Sequence, residues 1–71
     1  MGAHPRRDAE GLTPGERAVL SCVPEDGWRL TKDIAAACGL AAHYVQCSLR
    51  LLDVAGKVTR RGLRPAYWRR G

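Results

Sequence analysis

The sequence has no run of 18 apolar residues, so it encodes no membrane-spanning helix. Its three cysteines, Cys22, Cys38 and Cys47, are an odd number at irregular intervals. A disulfide scaffold needs an even and denser set, so reduced thiols are expected. There is no GxSxG, no Walker loop and no pair of carboxylates beside a histidine. No catalytic constellation can be assembled from what remains, and the expectation is a protein that is not an enzyme. The opening stretch Met1-Gly2-Ala3-His4-Pro5-Arg6-Arg7 lacks the apolar segment of a secretion signal, which predicts a cytoplasmic location. Internal repeats and low-complexity segments are also missing. The last fifteen residues contain no acid at all.

What is present is ordinary globular composition. Apolar residues make up 45% and charged residues 27% of 71 residues, which excludes wholesale disorder. A chain of this length forms one domain and buries only roughly 60% of its unfolded surface, so it cannot enclose a deep substrate cavity. The net charge is +5, and its placement is uneven. Residues 1–56 carry six basic and seven acidic groups, whereas Lys57, Arg60, Arg61, Arg64, Arg69 and Arg70 stand unopposed in residues 57–71. Five of these six are arginine, which forks onto phosphate and stacks on bases. Tyr67 and Trp68 lie within the same segment. Concentrated positive charge with aromatic neighbours points to nucleic acid rather than to a solubilising tail.

Residues 1–11 show no apolar period and read as a flexible N-terminal arm ahead of a domain at 12–71. Thr13-Pro14-Gly15-Glu16 is a helix start: Thr13 caps, Pro14 takes the first helical position and Glu16 completes a capping box. This first helix is predicted to run to about Val23, with Val19, Leu20 and Val23 buried, and to end at Pro24-Glu25-Asp26-Gly27. Trp28-Arg29-Leu30 predicts a brief strand. Thr31 is expected to cap a second helix over Lys32–Cys38, packed through Ile34, Ala35 and Ala37 and stopped by Gly39. A third helix is predicted from Ala41 or Ala42 to Ala55. Lys57–Arg61 and Ala66–Arg69 then read as two strands joined by Gly62-Leu63-Arg64-Pro65.

Two helices joined by a short turn containing glycine form the helix-turn-helix pattern. Here Ile34-Ala35, Gly39-Leu40, Val45 with Leu49 and Leu52, and Ala55-Gly56 before Val58 and the double arginine carry a closer likeness. Across residues 12–69 the sequence resembles the small prokaryotic winged helix-turn-helix DNA-binding regulators. That resemblance implies a mainly α fold of three helices, with a short strand after the first and a C-terminal two-stranded wing. It also implies sequence-specific binding to double-stranded DNA in transcriptional regulation, as a repressor for example, or in control of a small genetic element.

The third helix can be phased at about 100° per residue. Val45, Ser48, Leu49 and Leu52 then share the core face, while His43, Tyr44, Gln46, Cys47 and Arg50 point outward. In the family that outward face, together with Ala42, reads the major groove. Gln pairs with adenine and Arg with guanine there. The start of the second helix, Thr31 and Lys32, and the wing residues Lys57, Arg60, Arg61, Arg64 and Arg69 are the expected backbone and minor-groove contacts. Arg64 at the tip is the minor-groove candidate. Trp68 is expected to pack inward against Trp28 or Leu30, with Tyr67 partly exposed.

Other readings compete. Outward Val54 and near-outward Leu51 form an apolar pair that suits a protein partner or a homodimer. The basic wing would also suit RNA. Cys38, His43 and Cys47 invite metal or redox sensing, but His43 and Cys47 supply only two ligands on one face and Cys38 ends another helix. No cofactor, metal, membrane or small-molecule substrate is expected.

Overall fold

Helix-start chemistry, apolar phase and turn residues account for most of the chain path. A computed structural model describes residues 11–71, so the predicted arm lies outside the described residues except for Gly11. The first helix, α1 (Pro14–Ser21), opens on the expected capping box: Thr13 Oγ1 accepts from the Glu16 N–H at 3.2 Å, and Glu16 Oε1 accepts from the Thr13 N–H at 3.1 Å. The helix stops two residues before Val23. The N–H groups of Cys22 and Val23 reach back only three residues, to Val19 and Leu20, which tightens the last turn ahead of Pro24.

Next come β1 (Arg29–Leu30), α2 (Thr31–Cys38) and α3 (Ala42–Val54), then β2 (Val58–Arg61) and β3 (Tyr67–Arg70). Gly39, at φ +71°, supplies the left-handed step that ends α2. The expected hairpin forms with Arg60 opposite Trp68 and Arg61 opposite Tyr67. β1 adds to the other edge of β3, with Arg29 opposite Trp68 and Leu30 opposite Tyr67. The result is a small mixed α/β domain of three helices and a three-stranded antiparallel sheet in the order β1-β3-β2.

The core gathers Val19, Leu20 and Val23 from α1 and its exit, Ile34 and Ala35 from α2, and Val45, Leu49 and Leu52 from α3. Leu12, Val58 and Trp68 close it from the chain entry and the sheet. Each fully buried aliphatic side chain here contributes on the order of 1.5–3 kcal/mol relative to exposure. Val45, Ser48, Leu49 and Leu52 are all buried, as the helical phase requires. Ala37 is exposed, contrary to expectation. An eight-residue helix presents about two turns, and Ile34, Ala35 and half-buried Cys38 already fill the side that meets the core.

Two further expectations are corrected at the sheet. Thr31 is the first residue of α2 rather than its cap; Leu30 occupies the cap position with no side-chain bond. The Thr31 hydroxyl accepts instead from the indole N–H of Trp68 at 2.8 Å. Trp68 is buried as predicted, but Trp28 does not cover it. Trp28 lies on the other side of the sheet, where the side chains of Arg61 and Arg69 each pack over its ring at 5.8 Å.

Candidate functional site

The pleat sorts the hairpin side chains onto two faces. Val58, Arg60, Trp68 and Arg70 point toward the helices, and Thr59, Arg61, Tyr67 and Arg69 point away. Because Val58 and Trp68 are anchored in the core, Arg60 is held on the side that faces α3.

A cleft runs between the exposed side of α3 and the hairpin. One part of it, about 370 Å³, is lined by Thr31, Gln46, Arg50, Arg60, Leu63, Arg64, Ala66 and Trp68. An adjoining part of about 410 Å³ brings in Leu30, Lys32 and Pro65. Residues from α2, α3 and the hairpin therefore meet at one place, although Thr31 and Trp68 are 37 positions apart in sequence. Lys32, Arg50, Arg60 and Arg64 are all exposed, and among the described residues none has a carboxylate partner. Four cations around one concavity favour an anion with several charges, and guanidinium groups suit phosphate in particular.

The outward face of α3 divides into three strips. Gln46 and Arg50 border the cleft. His43 and Cys47 point straight out, their Nε2 and Sγ atoms 4.0 Å apart, and Ala42 is exposed at the helix start. Tyr44 and Leu51 lean toward α1. Tyr44 is packed so closely there that a Cβ on Gly15 would overlap its hydroxyl, and Leu51 shares a shallow groove with Gly11, Leu12 and Glu16. The phase angle made Tyr44 an outward residue; the crossing of α1 and α3 turns its ring onto α1.

Of the remaining basic residues, Arg61 and Arg69 lie on the opposite side of the sheet from the cleft, stacked on Trp28. Lys57 is half-buried at the far end of β2. Arg70, counted in the unopposed charge of the C-terminal segment, is tied into the domain. It pairs with Glu25 at 3.7 Å, donates to the Leu20 carbonyl at 3.2 Å and joins Pro24 through its backbone N–H. The cleft also has an apolar lip that sequence reasoning missed, formed by Leu63, Pro65 and Ala66. Its signal was an apolar residue, Leu63, standing in a loop of glycine, arginine and proline; it is 73% exposed.

The cysteines separate. Burial pushes the Cys38 thiol up to about 11, and the neighbouring Cys22 thiol adds to this through a hydrogen bond and its charge. Cys38 thus sits with Cys22 against the core rather than with His43 and Cys47. Among the described residues, no three His, Cys, Asp or Glu side chains converge as a metal site would require. No helix among the described residues is long and apolar enough to cross a membrane.

Compared with known proteins, the chain matches no family model, no curated protein and no solved structure.

Proposed function

We propose that this domain is a winged helix-turn-helix module that binds double-stranded DNA, with α2 and α3 as the helical pair and β2–β3 as the wing. The observation that carries the reading is the shared cleft. Gln46 and Arg50 of α3 and Arg60 and Arg64 of the hairpin line it together, and Thr31 and Lys32 of α2 add to the lining. A major groove about 12 Å wide admits one α-helix, which suits the exposed strip of Ala42, His43, Gln46, Cys47 and Arg50. In this reading Gln46 and Arg50 contact base edges. Lys32, Arg60 and Arg64 hold the backbone that passes between helix and wing, and the open first turn of α2 adds N–H donors toward the same phosphates. The biological consequence is occupancy of a DNA site, in transcriptional regulation or in control of a small genetic element.

A second reading rests on the far end of α3, where Leu51 and Val54 are 55% and 88% exposed. This apolar pair suits a protein partner or a second copy of the chain. It lies beyond the cleft, so it is compatible with DNA at Gln46 and Arg50.

The test begins by selecting bound sequences from a random duplex pool, then measures variants on the selected and a scrambled duplex across a salt series. Arg60→Ala weakens both duplexes alike and lowers the salt slope by about one unit, because it removes a phosphate contact. Gln46→Ala and Arg50→Ala lose about 1–3 kcal/mol on the selected duplex alone. Arg61→Ala, on the other side of the sheet, changes duplex affinity little. With about four phosphates held, affinity falls about a hundredfold between 50 and 200 mM salt. A single module buries only about 600–1,000 Å² against DNA, so affinity as a monomer is modest. If no duplex is enriched and no variant matters, DNA is the wrong ligand and Leu51–Val54 becomes the lead.

A further inference from the structure

The outer face of the sheet is not used by duplex binding in the cleft, yet it is both basic and aromatic. Thr59, Arg61, Tyr67 and Arg69 all point outward from it and are exposed, and half-buried Trp28 lies across it. The Cζ atoms of Arg61 and Arg69 are each 5.8 Å from the centre of the Trp28 ring. The two like charges are therefore held within about 12 Å of each other, close to one screening length at 0.1 M salt. Among the described residues neither has a carboxylate to offset it.

We propose that this face binds an unpaired strand of nucleic acid, with phosphates on Arg61 and Arg69, one base stacked on Tyr67 and another in the concavity beside the Trp28 ring. Three features select that ligand. Both guanidinium groups lie within cation–π range of Trp28, and their N–H groups can still reach phosphate oxygens. Tyr67 sits directly opposite Arg61 in the ladder and keeps 37% of its surface open, so a base can lie on its ring beside a bound phosphate. A concavity of about 300 Å³, lined by Trp28, Thr59, Arg69, Arg70 and Gly71, adjoins the ring. It lies at the small end of the range for ligand pockets and suits one base rather than a duplex. A duplex keeps its bases stacked inside and would leave both aromatic rings unused. An acidic protein segment would use the arginines but not the rings. Arginine-flanked aromatic platforms are the general means by which single strands are held without sequence preference.

The experiment titrates the full chain with short oligo-dT, oligo-U and duplex DNA while following tryptophan fluorescence. Trp68 is 2% exposed, so a change on binding reports Trp28. The expected result is saturable quenching by both single strands, with a salt slope near −1.4 for two phosphates, or about a sevenfold loss of affinity between 50 and 200 mM. Arg61→Gln with Arg69→Gln lowers single-strand affinity at least tenfold and leaves duplex affinity within about threefold. Tyr67→Ala costs about fivefold or more on single strands, from a stacking contribution of at least about 1 kcal/mol per base. Gln46→Ala with Arg50→Ala does the reverse, so this proposal and the duplex reading fail separately. All five positions are exposed, and circular dichroism melts verify that the variants stay folded. The proposal is overturned if single strands bind without quenching or not at all. It is equally overturned if their binding is lost with Gln46 and Arg50 instead, if poly-glutamate displaces them at equal charge concentration, or if the arginine pair proves to hold duplex.

Discussion

Thr31→Val probes a long-range polar contact at the edge of the core. The Thr31 hydroxyl accepts from the Trp68 indole N–H at 2.8 Å, and it joins the start of α2 to the middle of β3 across 37 positions of sequence. Valine keeps the shape and removes the acceptor. Trp68 is 2% exposed, so its N–H would lose its partner away from bulk water. An orphaned buried donor costs about 1–3 kcal/mol. Thr31 is itself only half-buried and water reaches one side of it, which puts the cost in the lower half of that range, about 1–2 kcal/mol. For a domain of this size each kcal/mol moves Tm by about 4–8 °C, so Thr31→Val should melt about 4–16 °C lower. Thr31→Ser keeps the hydroxyl, loses one methyl group and should fall by much less. Thermal melts by circular dichroism give the two shifts. In parallel, the Trp68 indole proton, followed by NMR, should exchange slowly in the native chain and in Thr31→Ser but quickly in Thr31→Val. Equal melting of the two variants, with the indole proton equally protected in both, would falsify the assignment of Thr31 as the acceptor. The consequence for function is positional. A looser Trp68 lets β3 shift against α2, and with it Arg60 and Arg64 against Gln46 and Arg50.

Leu49 is fully buried between α3 and the rest of the core, so Leu49→Ala should cost about 2–5 kcal/mol in chemical denaturation. In so small a domain that is much of the total stability, and an unchanged denaturation midpoint would show that the inward phase of α3 is wrong. Cys38 carries a thiol raised from 9.0 to about 11, so the folded chain holds this proton more tightly than the unfolded chain. Its contribution to stability is full below about pH 9 and is lost as pH rises toward 11; Cys38→Ser should remove that part of the alkaline decline. In timed alkylation near neutral pH, exposed Cys47 should react first and Cys38 last.

The local part of the fold was legible from residue order alone. Thr13 and Glu16 are three positions apart, and their reciprocal bonds need nothing beyond the turn they cap. Gly39 and the apolar spacing of Val45, Leu49 and Leu52 define the end of α2 and the buried side of α3 for the same reason: both depend on backbone geometry within a few residues. The pile-up of arginine after Gly56 was equally plain. Sequence reading grouped Arg60 with Arg61 as wing contacts and did not separate them by face.

That choice belongs to the tertiary structure. Burying Val58 and Trp68 turns Arg60 toward α3 and sends Arg61 and Arg69 out over Trp28. The pairing of β1 with β3, absent from the reading of a two-stranded hairpin, is what lays Trp28 across that outer face. Tyr44 rests on Gly15 because α1 and α3 cross where glycine leaves space, and Cys38 meets Cys22 because α1 and α2 pack side by side. Arg70 left the pool of unopposed charge by reaching Glu25 and the end of α1. Each of these contacts joins residues tens of positions apart, whose relative placement is set by packing apolar surface out of water. Helix and strand periodicity decides which side of an element is buried. Only the packed core decides what each remaining side chain faces.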